Sequence, residues 1–246
     1  MRNWEGRRYW LVGASEGLGR ALADVMSRAG VELILSARNE ERLQDLADLL
    51  PGRTRCLAMD VRDLDSVRAA AREAGEIDGV IYLAGAYWPF PAQEWDAEQA
   101  EIMCDVNFTG AARVLGMVVP EMAARGSGHV VVVGSLSGFR GLPGSIGYGS
   151  SKAGLMHLAE SMHADLRGSG VCVQLANPGF VRTRLTEKND FTMPFLMEPE
   201  DAARHVFEHM NTDAFKRNFP TIFSWVFRLS QFLPDWAYYR IFAGRG

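Results

Sequence analysis

Short apolar runs alternate with longer amphipathic segments through the first 180 residues of this chain. The runs show no polar alternation, which is typical of strands that are buried on both faces, as in a parallel sheet covered by helices. The runs fall at 9–13, 31–36, 55–59, 79–85, 129–135 and 171–179, and helical patterns lie near 18–29, 40–50, 63–74, 97–125 and 147–168. This order predicts an α/β fold, a doubly wound parallel sheet with right-handed crossovers.

Composition narrows the class of protein further. The 246 residues are 48% hydrophobic, which suits a single domain with one large core over 1–246. The formal net charge is -4 and no block of Lys or Arg stands out, so we predict no nucleic-acid partner. Cys56, Cys104 and Cys172 have no CxxC spacing, which predicts neither disulfides nor a metal site and favours the cytoplasm. No secretory signal or run of 18 apolar residues is found, so no membrane-spanning segment is predicted.

The first strand runs directly into the sequence GASEGLGRAL at the start of a helix. Glycines there permit a tight turn and let backbone N–H groups approach a pyrophosphate, whose charge is favoured at a helix N-terminus. The spacing GxxxGxG is one residue longer than the common GxGxxG between its first two glycines. The pattern predicts a dinucleotide-binding loop, with an ordinary glycine-rich turn as the alternative. Its candidate cofactor-binding residues are Gly13, Ser15, Glu16, Gly17, Leu18 and Gly19.

The end of the second strand would meet the adenosine ribose, where NAD-binding chains place an Asp or Glu. This chain has Ser36 and Arg38 there instead. No carboxylate repels a 2′-phosphate at that point, and the Arg38 guanidinium can bind one, so NADP is favoured over NAD. Glu16 adds an opposing charge, and a solvated Arg38 is the alternative. Asp60, after the third strand, either accepts from the adenine amino group or caps the helix beginning near 63.

Tyr148 and Lys152 stand four residues apart at the start of a helical pattern, so both lie on one helix face. A carbonyl that receives a hydride gains negative charge on its oxygen, and its site needs a proton donor and a hydrogen-bond donor. A phenol has a pKa near 10. The Lys152 ammonium and an oxidised nicotinamide would lower the pKa of Tyr148. We therefore predict that Tyr148 acts as the general acid and base.

Several motifs stand in a fixed order along the chain: GASEGLG, DV at 60–61, AG at 84–85, VN at 106–107, GSLSG, YGSSK and NPGFVRT. Together they resemble the short-chain dehydrogenase/reductase family, in its compact single-domain branch, over roughly residues 8–184. The resemblance implies a Rossmann-type sheet of about seven strands flanked by helices on both faces. It also implies hydride transfer between a nicotinamide cofactor and a carbonyl or alcohol.

The resemblance implies a role for each matching residue. Tyr148 and Lys152 match the family's YxxxK motif, and Ser135 matches the serine that orients the substrate oxygen, with Ser137 as a nearby alternative. Asn107 matches the helix asparagine, which would hold a water that links the lysine to solvent. Further implied cofactor contacts are Val61, Ala84, Gly85, Pro178, Gly179, Val181 and Thr183.

Two positions depart from the family pattern. Tyr82 and Leu83 stand where the family has two asparagines that tie the central sheet together, so those hydrogen bonds must be supplied otherwise or lost. Val12 stands where a threonine usually braces the glycine loop. These departures question the local rigidity more than the chemistry.

Two apolar segments are predicted to wall the substrate side, one after Gly85 and a lid at about 184–200. Such walls suit an apolar ketone, aldehyde or alcohol. Ordinary packing explains the same side chains about equally well. The candidate substrate contacts are Tyr87, Trp88, Phe191 and Phe195.

An aromatic C-terminal segment at about 218–246 has a strand-like start and two short helical patterns. A pocket cover or an oligomer contact is favoured over a membrane-surface helix, because only Arg228 and Arg240 would form its polar face. The family resemblance suggests a homodimer or homotetramer. The sequence thus favours an NADP-dependent oxidoreductase that acts on an apolar small molecule. A catalytically silent dinucleotide-binding scaffold, or the same chemistry with NAD, is the alternative.

Overall fold

The computed structural model describes residues 2–243. Its strands are β1 (Arg8–Val12), β2 (Glu32–Ala37), β3 (Thr54–Ala58), β4 (Gly79–Tyr82), β5 (Gly128–Val133), β6 (Val171–Pro178) and β7 (Lys216–Phe219). They form one parallel sheet in the order β3-β2-β1-β4-β5-β6-β7. The predicted fold class and strand number are confirmed.

The sheet is flanked by helices on both faces. The helices are α1 (Gly17–Arg28), α2 (Glu40–Ala47), α3 (Leu64–Ala74), α4 (Ala97–Cys104), α5 (Gly110–Arg125), α6 (Ile146–Asp165), α7 (Pro199–Met210), α8 (Thr221–Ser230) and α9 (Asp235–Phe242). The predicted helical patterns correspond to α1, α2, α3, α4 with α5, and α6. The sequence analysis does not indicate α7, which begins inside the predicted lid with a proline in its first turn. The end of the aromatic segment, 244–246, lies outside the described residues.

Side chains that alternate along each strand enter two separate cores, so the single large core expected from the composition is divided by the sheet. In β1, Trp10 and Val12 pack with α3, α5 and α6, whereas Tyr9 and Leu11 pack with α1, α2 and α7. Both faces of the sheet are therefore buried under helices, which explains why its strands are continuous apolar runs in the sequence. The polar carboxyl ends of the strands are left to form a site.

The predicted helix at 97–125 contains a π-helical turn, Asp105–Thr109, between α4 and α5. Turns of this kind are frequent at functional sites. Within residues 2–243, Ala97–Arg125 is also the one helical stretch that is long and apolar enough to cross a membrane by length and composition. Core helices pass the same test, and Met103 and Val114 of this stretch are fully buried in the cores of the protein.

Tyr82 supplies a tie at the position where the family pattern has an asparagine. Its side chain is fully buried, and its hydroxyl donates to the Val106 carbonyl at 2.5 Å. Gly110 leaves room for this hydroxyl, because a Cβ there would lie 2.7 Å from the Tyr82 Oη. The end of β4 is thus anchored to the helical layer by a tyrosine.

Tyr82→Phe is expected to lower the free energy of unfolding by about 1–3 kcal/mol, because the partly buried Val106 carbonyl loses this donor. Burial raises the pKa of Tyr82, so its hydroxyl stays a donor at any ordinary pH. Denaturant unfolding measures the effect, with the exposed Tyr239→Phe as the matched control. Equal stability of the two variants would mean that the Tyr82 hydrogen bond contributes nothing.

Candidate functional site

A cleft of about 1370 Å³ opens at the carboxyl ends of the strands. It crosses the point where the strand order reverses between β1 and β4, which is where open α/β sheets bind ligands. The predicted residues that line it are Gly13, Ser15, Glu16, Gly17, Leu18, Gly19, Ser36, Arg38, Asp60, Val61, Ala84, Gly85, Tyr87, Trp88, Ser135, Tyr148, Lys152, Pro178, Gly179, Val181, Thr183 and Phe191. Asn107 and Phe195 are not part of its wall.

Three glycines of the loop after β1 leave no space for a side chain. A Cβ on Gly13, whose φ is +97°, would lie 2.5 Å from the Ala84 nitrogen, and one on Gly19 would collide with the Gly13 carbonyl. A Cβ on Gly17, whose φ is +51°, would lie 2.7 Å from Thr183 Cγ2. Helix α1 begins at Gly17, and its N-cap residue Glu16 makes no side-chain hydrogen bond to the helix, so no side chain caps the N–H groups of the first turn. This cradle fits the pyrophosphate of a dinucleotide.

The corner beyond β2 is basic. Arg38 and Arg42 both line the cleft. The sequence analysis does not predict Arg42 at the cleft, although Asn39, a typical helix-capping residue, indicates where α2 begins. The Asn39 side chain caps α2 by accepting from the Arg42 N–H at 2.8 Å, which places Arg42 in the first helical turn, close to the strand end.

Glu16 is neutralised by two arginines. Its carboxylate forms ion pairs with Arg42 and, at 2.9 Å, with Arg184 of the lid segment. The opposing charge that the sequence places near the 2′-phosphate position is therefore compensated within the protein.

Asp60 lies on the same side of the cleft and is held by Arg62, whose Nη2 is 3.1 Å from a carboxylate oxygen. Burial raises the pKa of Asp60, but the hydrogen bonds and charge of Arg62, with the charge of Arg38, outweigh it and hold that pKa below its usual range. The alternative that Asp60 caps α3 is wrong. Asp63 is the cap, and its side chain accepts from the Asp65 N–H at 2.9 Å.

Ser36 lines the cleft with its backbone, not with a free hydroxyl. Its Oγ is fully buried and accepts from Trp10 Nε1 at 2.9 Å, while its carbonyl accepts from the N–H groups of Gly13 and Ala14. This arrangement differs from the predicted contact to the ribose. Ser36 instead fixes the glycine loop against the end of β2.

The predicted reactive side chains meet on one wall of the cleft. The chain after β5 supplies Ser135, and one face of α6 supplies Tyr148 and Lys152. Lys152 Nζ lies 5.8 Å from the centre of the Tyr148 ring and donates to the Val133 carbonyl at 2.9 Å. The Oγ atoms of Ser135 and Ser137 are 2.9 Å apart, so the hydroxyls of both candidate serines lie within hydrogen-bonding distance of each other.

Burial shifts the pKa values of both Tyr148 and Lys152. It raises the pKa of the Tyr148 phenol, and a hydrogen bond with Ser135 works in the opposite direction. Burial also lowers the pKa of Lys152 to about 8. The protein alone therefore does not show the lowered Tyr148 pKa expected from the sequence. It holds the tyrosine as a neutral phenol, which is the form that donates a proton.

Asn107 lies behind the cleft wall, on the π-helical turn. Its buried amide donates to the Ala86 carbonyl at 3.0 Å and to Ser151 Oγ at 2.9 Å, and its oxygen accepts from the Ala86 N–H at 2.7 Å. The side chain thus ties the segment after Gly85 to α6. Both N–H groups of the amide are already donated within the protein, and the predicted water relay stays a prediction.

The two predicted substrate walls are joined to each other. Tyr87 donates from its hydroxyl to Asn189 Oδ1 at 2.6 Å, and its ring lies 4.8 Å from that of Tyr148. Lys188 Nζ donates to the Tyr87 carbonyl at 2.7 Å and lies 4.0 Å from the centre of the Trp88 ring. The lid therefore closes over the aromatic side of the reactive group.

Phenylalanines from the C-terminal segment complete the apolar wall. Phe191 lines the cleft as predicted, but Phe195 is more than half exposed and packs on the outside, 5.4 Å from Phe223 between ring centres. Phe223 and Phe227, one turn apart on α8, line the cleft and escaped the sequence analysis. The predicted pocket cover is thus formed by the inner face of α8.

Arg140 attaches the C-terminal segment to the loop between Ser135 and Tyr148. Its Nη1 donates to the carbonyls of Ser230 and Leu233 at 2.7 and 2.8 Å, and its guanidinium lies 3.9 Å from the centre of the Tyr238 ring. Asp235 pairs with the same guanidinium at 2.5 Å, and the Tyr238 hydroxyl donates to the Gly141 carbonyl at 2.7 Å. One partly buried arginine thereby holds the end of α8 and the first turn of α9.

Comparison with known proteins finds oxidoreductases among the relatives of this chain. A curated uncharacterized oxidoreductase of Myxococcus xanthus is 38% identical over 242 residues, which cover 96% of each chain. Sulfoacetaldehyde reductase 2 of Chromohalobacter salexigens is 37% identical over 184 residues, covering 72% of this chain and 73% of its own. The solved structure of a short-chain dehydrogenase from Sphingobium yanoikuyae in complex with NADPH has a TM-score of 0.81 at 26% identity, covering 93% of this chain and 97% of the other.

The sequence pattern of the short chain dehydrogenases matches residues 9–193 of this protein. That match runs from β1 through the glycine loop, the reactive wall and most of the lid. The chain therefore belongs to the short chain dehydrogenase family of oxidoreductases.

Proposed function

We propose that the protein is an NADP-dependent oxidoreductase that interconverts a carbonyl and an alcohol on an apolar small molecule. The observation that carries the proposal is the meeting of Ser135, Tyr148 and Lys152 on one wall of a cleft whose far end is the glycine loop. The cofactor, when bound, supplies the hydride. The residues of the protein supply everything else that the reaction needs.

The reactive wall has one task for each side chain. The neutral Tyr148 phenol donates a proton to the substrate oxygen as negative charge develops on it, and Ser135 donates a hydrogen bond to the same oxygen. Lys152 places a cation near the phenol, so that the tyrosinate left after proton transfer is stabilised. In the direction of alcohol oxidation the same tyrosine acts as the base.

Two features support NADP as the preferred cofactor. Arg38 and Arg42 line the ribose corner, and the one carboxylate at the glycine loop, Glu16, is paired with arginines. Guanidinium groups bind phosphate by paired, charge-assisted hydrogen bonds. The relative from Sphingobium yanoikuyae is a complex with NADPH, which supports the same preference.

Arg38→Ala is expected to weaken NADPH binding by about 1.5–3 kcal/mol, or roughly 10- to 150-fold, because a charged hydrogen bond to the 2′-phosphate is lost. NADH has no such phosphate, so its affinity should stay nearly unchanged. Titration calorimetry with both cofactors measures the difference, and Arg53→Ala, which removes an exposed arginine before β3, serves as the control. Equal losses for NADPH and NADH would contradict the assignment of Arg38.

Consumption of NADPH over a panel of aromatic and aliphatic ketones, aldehydes and quinones tests the reaction itself. The aromatic wall favours apolar members of that panel, and the relative from Chromohalobacter salexigens, named as the reductase of an aldehyde, supports carbonyl reduction. Binding of NADPH with no turnover of any member would favour a silent dinucleotide-binding scaffold instead.

We also propose that the protein acts in the cytoplasm, because its three cysteines are free thiols, as is usual in a reducing compartment. A homodimer or homotetramer stays a prediction of the family resemblance.

A further inference from the structure

Helix α8 is apolar on two opposite faces. Its inner face buries Phe223 and lines the cleft with Phe223 and Phe227. Its outer face carries Ile222, Trp225, Val226 and Leu229, at the spacing i, i+3, i+4 and i+7 of a single helical stripe. A helix that is apolar all round is normally buried on all sides, yet this outer stripe is exposed.

The stripe continues across the turn onto α9. Among the described residues, eight of the thirteen large hydrophobic side chains that are exposed lie in this one segment. They are Ile222, Trp225, Val226, Leu229, Phe232, Trp236, Tyr239 and Ile241, and we refer to them as the apolar plateau. An exposed apolar surface of this density marks a site of interaction with a partner or a membrane.

The charges around the apolar plateau are positive, although the whole chain has a net charge of -4. Arg228 lies 4.2 Å from the centre of the Trp225 ring, and Arg240 is exposed in the last turn of α9. Asp235 is the single acidic residue between 220 and 243, and its carboxylate is paired with Arg140. The rim therefore offers cations without a free carboxylate of its own.

We propose that the apolar plateau docks on the surface of an anionic phospholipid bilayer, from which an apolar substrate enters the cleft past the inner face of α8. The two arginines alone are few for an interfacial helix, as the sequence indicates, but such binding also scales with the apolar area that enters the lipid, and the eight exposed side chains of the apolar plateau supply that area. Trp and Tyr also prefer the headgroup level, where Trp225, Trp236 and Tyr239 would lie. The entry route depends on the proposed function, whereas the docking itself does not.

The same charges argue against a second copy as the occupant. In a two-fold contact the patch meets the same patch, so Arg228 and Arg240 of each copy would enter an interface in which segment 220–243 offers no free carboxylate to pair with them. Burying these cations without a partner is unfavourable. Phosphate groups of anionic lipids complement both arginines.

Flotation of the whole protein with lipid vesicles tests the proposal. One vesicle preparation is phosphatidylcholine alone, and the other contains phosphatidylglycerol as about one lipid in four. Wild-type protein is expected to float with the anionic vesicles. The double variant Ile222→Gln, Leu229→Gln should float at least about tenfold less, because two aliphatic side chains no longer enter the lipid. Leu49→Gln, which removes an equally exposed leucine after α2, should behave as wild type.

A second pair of substitutions separates charge from apolar burial. Arg228→Gln with Arg240→Gln is expected to reduce binding to anionic vesicles by up to about 25-fold, with little change on phosphatidylcholine. Should the Ile222, Leu229 variant fail to fold by circular dichroism, Phe232→Gln in the exposed turn replaces it and should weaken flotation in the same direction.

The outcomes distinguish docking from catalysis. Turnover of a water-soluble carbonyl without vesicles should be equal in wild type and the plateau variants, since none of the changed residues lines the cleft. Wild-type protein that does not float would overturn the proposal, and plateau variants that lower the oligomeric mass without vesicle binding would assign the surface to a second copy. Flotation without any NADPH turnover would retain the docking surface and reject the proposed function.

Discussion

Replacement of Tyr148 by phenylalanine is expected to lower kcat by about 10²- to 10⁴-fold, the range that a positioned general acid contributes. The phenol is the proton donor on the reactive wall, and burial keeps it protonated. The ring and its packing against Tyr87 remain in the variant, so the affinity for NADPH should stay within about threefold of wild type. Stopped-flow or steady-state oxidation of NADPH, together with calorimetric titration of the cofactor, measures both quantities.

Tyr87→Phe is the matched control, because it removes a second phenol from the same cleft. Its hydroxyl serves the lid through Asn189, so we expect a change in KM with kcat largely retained. Full kcat in Tyr148→Phe would exclude the phenol as proton donor. A loss of cofactor affinity as large as the loss of kcat would mean that the variant has lost the cleft and not only its acid.

Lys152→Met is expected to remove most of the turnover and yet to stabilise the protein at pH 7 by about 2 kcal/mol. Burial lowers the pKa of Lys152 from 10.5 to about 8, which corresponds to a cost of about 3 kcal/mol for the buried cation. Methionine fills a similar volume without charge. The lost hydrogen bond to the Val133 carbonyl offsets about 1 kcal/mol of the gain.

The pH dependence of that gain identifies its cause. Below about pH 8 the lysine is charged in both the folded and the unfolded wild-type protein, so the full gain should be seen. Between about pH 8 and 10.5 the folded protein releases the proton while the unfolded chain retains it, so wild-type stability rises relative to the variant and the gain shrinks. Urea unfolding of both proteins across this range measures the difference.

Lys216→Met is the control for this experiment, since it removes a lysine that pairs with Glu160 outside the cleft. It is expected to give no stabilisation at pH 7. A Lys152→Met variant that is less stable than wild type at every pH would contradict the proposed cost of burying the cation, even if activity were lost.

The sheet and the cofactor end of the site are predictable from the sequence, because local rules determine them. Strands with both faces covered are apolar, as in 130–133, and a loop that approaches a pyrophosphate must lack side chains at Gly13, Gly17 and Gly19. The tyrosine and lysine of α6 follow from helical spacing alone. Each of these patterns is contained within a few neighbouring residues.

The features that the sequence does not predict depend on contacts between distant parts of the chain. Arg140 binds a carbonyl 90 residues further on, and Tyr82 reaches a carbonyl 24 residues away. Asn107 and Ser36 are polar residues next to the cleft, and only their partners in space show that their side chains are already engaged. Local periodicity contains no information about such pairings.

The attachment through Arg140 bears on how substrate range can diverge within this family. The Arg140 guanidinium joins the loop after Ser135 to helices α8 and α9. Exchange of the loop or of the helices alone would therefore leave hydrogen-bonding groups without partners. The loop and the two helices thus form one structural unit. A chimera of this chain that takes the C-terminal segment of a relative is therefore expected to lose the hydrogen bonds of Arg140 unless the 138–143 loop comes from the same donor.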